Sequence, residues 1–251
     1  MGRTPAAGWD AWQTRWECFQ AAYVPERNSQ FDAMCRYAED CTTDGILRAV
    51  DLCAGPASLG RHLALRAPHA RIIAVDADPF LIEMGRHGRS TSRIEWVQAD
   101  LRVSGWSAEL HGPFDAALCS TAMHWFNEEE VRAIYRETKS FLRCGGALLV
   151  ADAMPHGTTG AQAASRNMLE RIEASQIAAR CGEHWVSFWS AAEAEPAFAK
   201  LLTQRLRVLQ MRRPRVVPSL EFHIDALADA GFTDIGEVWR RDAWAVVLAI
   251  H

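Results

Sequence analysis

From Ile46 to Asp152, short apolar runs alternate with amphipathic stretches. ILRAVDL, RIIAVDA, RIEWVQ, FDAALCS and GALLVAD are each of strand length and nearly continuous in apolar residues. Such runs predict strands covered on both faces of a parallel sheet, because a strand with one wet face alternates instead. Between them, Ser58–Ala67, Pro79–Arg89 and Glu128–Leu142 read as helices. Pro79 sits where a first helical turn tolerates a missing N–H, and Asn127 before three glutamates reads as an N-cap with favourable charges behind it. Cys144-Gly145-Gly146 is expected to stop the last of these helices and open the next strand. Repeated strand–helix units predict a doubly wound α/β sheet.

The pattern breaks after Asp152. Residues 153–218 carry two long helical stretches, near Ala161–Cys181 and Ala191–Gln210, followed by the basic turn MRRPR. We read 153–218 as a helical insertion, since it is too long and too apolar for a plain loop. A helix over Ser219–Ala230 then leads to FTDIGEVW and DAWAVVLAI, separated by Arg240 and Arg241. That spacing predicts a hairpin and so one antiparallel strand at the C-terminus. Residues 1–45 read as a helical region. Within it Trp9, Trp12 and Trp16 fall at i, i+3 and i+7, and Phe19 and Tyr23 continue the same side. The expected organisation is an N-terminal helical lid (1–45), an α/β core (46–152 with 219–251) and an insertion that helps build a binding site.

Composition narrows the function classes. The chain has 251 residues, 49% hydrophobic and 23% charged, which is globular and leaves no need for a disulfide scaffold. Its formal charge of -4 offers no general field for a phosphate backbone, so nucleic acid is not an expected partner. Lys139 and Lys200 are the two lysines among 27 basic residues, a ratio we attribute to genome composition. The seven cysteines (18, 35, 41, 53, 119, 144 and 181) form no CxxC pair, so they are expected to be reduced thiols and no metal site is expected. No stretch approaches 18 apolar residues, and the N-terminus lacks the apolar run of a signal peptide. A soluble, cytoplasmic monomer or homodimer is the expectation.

The segment AVDLCAGPASLG (49–60) carries the first chemical signal. A strand is expected to end in Asp51, turn tightly through Ala54, Gly55, Pro56 and Ala57, and enter a helix. Small residues let a ligand approach the backbone there, and the helix start beyond offers N–H groups. The pattern lacks the dinucleotide GxGxxG and the Lys-Ser/Thr of a P-loop. Asp76 ends the next strand 21 residues after Gly55, the distance at which nucleotide-binding α/β folds place a carboxylate on ribose hydroxyls. Asp100 closes the strand after that. One such acid is usually a solvated strand end, but three at the carboxyl ends of successive strands mark the edge where open α/β sheets bind ligands.

Taken in order, Asp51–Leu59, Asp76, Asp100, FDAALCSTAMHWF and FLRCGGALLVAD resemble the signature segments of class I S-adenosylmethionine (SAM)-dependent methyltransferases. AGFTDIGEVW…DAWAVVLAI resembles that family's last strand pair. The likeness covers about residues 20–152 and 219–250 and is closest to the small-molecule branch with a His-Trp-Phe segment after the fourth strand. It implies a Rossmann-like α/β fold with a seven-stranded, mostly parallel sheet. It also implies SAM as cofactor, with Asp51 and Gly55 near the methionine portion, Asp76 at the ribose, and Ala54 and Ala77 among the cofactor-binding residues. Asp100 and Leu101 would meet the adenine edge, and Ser120 the sulfonium. Where the family usually has glycine, this chain has Cys53 and Ala57. A β-carbon at Ala57 is strained if the turn needs φ > 0, and Cys53 narrows the space beside the methionine tail.

His124 follows the fourth strand at the same edge. An imidazole there is either a general base or acceptor-orienting group, or a packed ring that fixes the loop. Trp125 and Phe126 read as apolar walls around the donor. Asp152, His156, Glu183 and His184 are further candidates that sequence does not separate from His124. In YVPERNSQF (23–31), Tyr23 or Arg27 could reach the donor's carboxylate, or the segment is a helix-linking turn. The base-methylating Asn/Asp-Pro-Pro-Tyr segment is absent, and MRRPR reads as a solvated turn. The expected activity is methyl transfer by in-line displacement to a small, apolar, aromatic metabolite, in keeping with secondary metabolism. Two alternatives are a SAM-binding scaffold of the same fold and, disfavoured by the missing GxGxxG, a nicotinamide-dependent oxidoreductase.

Overall fold

A computed structural model describes residues 8–88, 93–156, 164, 168, 185–209 and 217–251. Seven strands form one sheet in the order β3-β2-β1-β4-β5-β7-β6. They are β1 (Arg48–Leu52), β2 (Arg71–Asp76), β3 (Ile94–Gln98), β4 (Phe114–Ser120), β5 (Leu142–Ala153), β6 (Thr233–Arg241) and β7 (Trp244–Ile250). β7 lies between β5 and β6 and runs antiparallel to both, and the first five strands pair in parallel. Order reverses between β1 and β4, which opens a crevice at their carboxyl ends.

The described helices are α1 (Gly8–Tyr23), α2 (Arg27–Asp40), α3 (Ser58–Arg66), α4 (Pro79–His87), α5 (Glu128–Phe141), α6 (Trp185–Glu193), α7 (Ala199–Leu209) and α8 (Leu220–Asp229). Strand residues alternate between two cores. Val50, Leu52, Ala117, Cys119 and Val150 face α5 and α8, while Ala49, Ile72, Leu118 and Leu149 face α2 and α3. Both faces are therefore covered, which is why the strand runs are apolar throughout. Burying a leucine such as Leu52 contributes about 1.5–3 kcal/mol.

Several local expectations hold. Pro79 stands in the first turn of α4, with Asp78 as its cap. Asn127 caps α5 and forms a reciprocal capping box with Glu130, while Ser219, expected inside its helix, is instead the cap of α8. Others shift. β5 begins at Leu142, ahead of Cys144-Gly145-Gly146, so α5 passes directly into the strand. A register shift between Phe114 and Ala116 absorbs the glycines. The last hairpin turns at Asp242 and Ala243, and Arg240 and Arg241 belong to β6. Asp242 takes φ 54, the left-handed conformation such a turn requires. Helical stretches in 153–218 are present as α6 and α7, whose boundary falls at Pro196 rather than inside one helix from Ala191. The expected helix at Ala161–Cys181 and the MRRPR turn lie essentially outside the described residues, as do Glu183 and His184.

A third aromatic core joins the N-terminal region to the insertion. Trp12 and Trp16 of α1 meet Phe188 of α6 edge-on at centroid distances of 5.7 and 5.6 Å, and Trp12 meets Phe198 at 5.0 Å. Phe80 of α4 completes the cluster. Cys35, Cys41, Cys53, Cys119 and Cys144 are free thiols, while Cys18 is disulfide-bonded, a departure from the expected set of reduced thiols.

Candidate active site

The crevice at the strand-order reversal is a cavity of about 150 Å³. Asp51, Cys53, Ala54, Gly55, Asp76, Ala77, Asp100, Leu101, Ser120, Trp125 and Arg27 all line it, bringing together most of the residues singled out from sequence. Tyr23 and His124 are not in its wall. Tyr23 packs on Phe19 at 4.9 Å between centroids. His124 is buried behind Trp125, with its ring 5.1 Å from the indole.

The turn after β1 is held by the acids around it. Asp51 Oδ2 accepts the Gly60 N–H at 2.8 Å, and Asp76 accepts Gly55 N–H on Oδ2 at 2.7 Å and Asp78 N–H on Oδ1 at 2.8 Å. Cys53, Gly55 and Ala57 take φ of 52, 56 and 58, so left-handed residues alternate through the turn. This explains why glycine suits positions 53 and 57, since a β-carbon in that region costs roughly 1–2 kcal/mol. A β-carbon at Gly60 would stand 3.1 Å from Asp51 Oδ2, so that position needs the small residue it has.

Burial, with a contribution from Asp76, pushes the Asp51 carboxyl up to about 7, against the Gly60 hydrogen bond and the pull of Arg61 and Arg27. Asp100 forms a two-pronged pair with Arg102, Nε to Oδ1 at 2.8 Å and Nη2 to Oδ2 at 2.6 Å. The expected adenine-edge acid is thus committed to an arginine that itself lines the cleft.

Residues from distant helices close the site. Glu17 on α1 accepts Arg27 Nη1 at 2.6 Å and Ser58 Oγ at 2.5 Å, with Arg61 Nη2 at 3.6 Å. Burial favours the neutral acid, but Arg27, Ser58 and Arg61 outweigh it and hold Glu17 below the ordinary carboxylate range. Trp16 and Gln20 of α1, Trp185 of α6, and Arg205 and Val208 of α7 also face the cavity. Arg205 pairs with buried Asp78 at 2.8 Å and lies 3.5 Å over the Trp189 ring. Nothing local in the sequence marked these side chains, although Arg102 adjoins Asp100 and Glu17 belongs to the Trp9–Tyr23 helix.

His124 is anchored, not exposed. Its Nδ1 lies 2.8 Å from Asp152 Oδ1, and its backbone N–H donates to Asp152 Oδ2 at 3.1 Å. Burial alone would raise Asp152, but the charge and hydrogen bond of His124 bring it below the usual carboxylate range. His156 lies 3.5 Å from Glu221, well exposed. Among the described residues no group of three or more His, Cys, Asp or Glu could hold a metal ion, and no helix is long and apolar enough to cross a membrane.

Residues 49–146 match the family model described as a methyltransferase domain. The chain is 29% identical over 93 residues to the release factor glutamine methyltransferase of Mycolicibacterium smegmatis, covering 37% of this chain and 32% of that one. It is 30% identical over 89 residues to the malonyl-[acyl-carrier protein] O-methyltransferase of Acetivibrio thermocellus, 36% of this chain and 30% of that one. It thus spans about a third of the length of these curated relatives. In fold, the domain and its flanking helices resemble the solved DhpI–SAM–HEP complex, with TM-score 0.56 and 16% identity over 96% of this chain and 94% of that one. Human N-acetylserotonin methyltransferase in complex with SAM superposes with TM-score 0.53 and 14% identity, over 95% of this chain and 57% of that one.

Proposed function

We propose that this chain is a SAM-dependent methyltransferase acting on a small, apolar, aromatic acceptor. The observation that carries the reading is the convergence of Asp51, Asp76 and Asp100 with the Gly55 turn on one cavity at the strand-order reversal.

The residues fit an adenosyl-methionine donor. A carboxylate offers about four acceptor positions, so Asp76 can hold the Gly55 turn and still meet sugar hydroxyls. Leu101, 5% exposed, gives a flat apolar surface suited to a base. Ser120 Oγ and Arg27 Nε are buried without a protein partner, and both residues line the cleft. Arg27 is therefore favoured over Tyr23 as the group for the donor's carboxylate, with Glu17 fixing its direction.

When bound, the donor would supply a sulfonium-activated methyl group, to which an acceptor nucleophile would bond in line as S-adenosylhomocysteine leaves. The protein's part is positioning: holding reacting atoms roughly 3 Å apart in a site that excludes water. Trp125 and Trp185, 6.4 Å apart between centroids, form two aromatic walls suited to an aromatic acceptor. His124, fixed by Asp152, serves as a positioning residue that seats Trp125 and the loop after β4. The strained Cys53 and Ala57 favour a second reading, donor binding without transfer. Calorimetric titration with SAM, S-adenosylhomocysteine and NAD, followed by a turnover screen over phenols, aromatic amines and aromatic acids, tests both. Preference for NAD would overturn the donor assignment. Tight S-adenosylhomocysteine binding with no turnover on any acceptor would favour the second reading.

A further inference from the structure

Cys53 in the wall of the cleft and Cys119 buried behind it share one face of the sheet by a route that strand alternation alone forbids. In the β1–β4 pair, Leu52 stands opposite Cys119, and both point to the core shared with α5 and α8. Cys53 follows Leu52, so regular alternation would turn it to the other face. Its φ of 52 breaks that alternation, and Cys53 packs against the same core as Cys119. Leu52 and Cys119 pair across strands about 4.8 Å apart and Cys53 is the next residue, so the two cysteines come within the reach of a disulfide. The two side chains are near enough for Cys53 to act on the Cys119 thiol. Both are free, Cys53 is part-exposed in the wall of the cleft, and Cys119 is fully buried.

We propose that Cys53 and Cys119 are an oxidisable dithiol, with Cys53 as the thiol that a peroxide reaches through the cleft and Cys119 as the thiol that resolves it. In the first step Cys53 sulfur attacks the peroxide O–O bond. Cys53 becomes the sulfenic acid and one water leaves, carrying the thiol proton. In the second, Cys119 sulfur attacks Cys53 sulfur, an S–S bond forms, and the sulfenic hydroxyl departs as a second water with the Cys119 proton. The protein loses two electrons and two protons, and the peroxide is reduced to water. The neighbouring Cys53 thiol and deep burial push the Cys119 thiol well above its ordinary range, so the part-exposed Cys53 is the one that meets the peroxide first.

The intact protein is treated with hydrogen peroxide, alkylated and digested with trypsin. Cleavage after arginine leaves Cys53 as the sole cysteine of Ala49–Arg61 and Cys119 as the sole cysteine of Val103–Arg132. The expected result is a species joining those two peptides, two hydrogens lighter than their sum, lost on reduction and absent from Cys53→Ser. Cys53 carried on to sulfinic acid with Cys119 still alkylatable, or both thiols unmodified, would overturn the proposal. Linkage is read in the native sequence, so a poorly folding Cys119→Ser variant does not compromise it. The proposed donor site adds a second arm: saturating S-adenosylhomocysteine, with binding measured by calorimetry in the same sample, should slow linkage at least tenfold. An unchanged rate with ligand bound would overturn access through the cleft. No binding, with linkage intact, would instead count against the donor site and leave the dithiol standing.

Discussion

Replacing Asp76 by alanine should damage both the turn and the donor site, by amounts the structure separates. The carboxylate accepts two backbone N–H groups, from Gly55 at 2.7 Å and Asp78 at 2.8 Å, and is 7% exposed. Each N–H left without a partner costs about 1–3 kcal/mol. Water from the cleft reaches part of the space, so the lower half of the sum, about 2–4 kcal/mol, is expected. For a chain of this length that lowers Tm by roughly 4–16 °C. If Asp76 also holds the ribose, two hydroxyl bonds to a charged group, about 1.5–3 kcal/mol each, are lost as well. The weaker of the two already corresponds to about a tenfold rise in Kd. Asp76→Asn keeps the volume and one acceptor oxygen, so it should fall between native and alanine variants in Tm while still losing at least tenfold in affinity. Calorimetry with S-adenosylhomocysteine, run well below the variant's own Tm, reads affinity, and scanning calorimetry reads stability. A folded Asp76→Ala protein with native affinity would refute the ribose assignment, and an unchanged Tm would refute the role in the turn.

Three further outcomes follow from the geometry. Asp51 is pushed up to about 7 in the folded chain, so the fold binds a proton that the unfolded chain has released. Stability should therefore be greatest below the ordinary carboxylate range, fall as pH rises through about 7 and level off above it, and Asp51→Asn should flatten that slope in pH-dependent urea unfolding. His124→Ala strips buried Asp152 of its partner and should cost about 3–5 kcal/mol in urea unfolding, whereas a histidine needed solely for proton transfer would lower turnover without that loss. Deleting residues 1–17 removes Trp12, Trp16 and Glu17 together, so both Tm and donor affinity should drop; full donor affinity in a folded truncation would show that α1 serves the acceptor alone.

The strands and the acids were legible because both report on local physics. A strand covered on two faces must be apolar along its whole length, so ILRAVDL and FDAALCS could be read without knowing their neighbours. Asp51, Asp76 and Asp100 stand where such runs stop, and an open sheet binds ligands on that edge. The cap at Asn127 and the proline at Pro79 were likewise readable, being satisfied within one turn. The position of the last hairpin was not. Arg240 and Arg241 looked like a loop, yet β6 lies at the sheet edge, where long polar side chains reach water.

Tertiary packing alone decided the rest. Glu17 reaches Ser58 across 41 residues and Arg102 reaches the Val208 carbonyl across 106, separations at which no sequence period carries information. Arg205 belongs to the cleft because Asp78 and the Trp189 ring hold it there, while its own helix reads as an ordinary amphipathic stretch. His124 could be named as a candidate, but its exclusion from the wall depends on Asp152, the residue that ends the same apolar run as Val150 one strand away. Cys53 shows the division at one residue. Its place in a turn that prefers glycine was visible in the sequence, whereas the face on which its thiol lies is set by a left-handed backbone angle. That angle is imposed by the path from β1 into α3, and only the folded chain specifies that path.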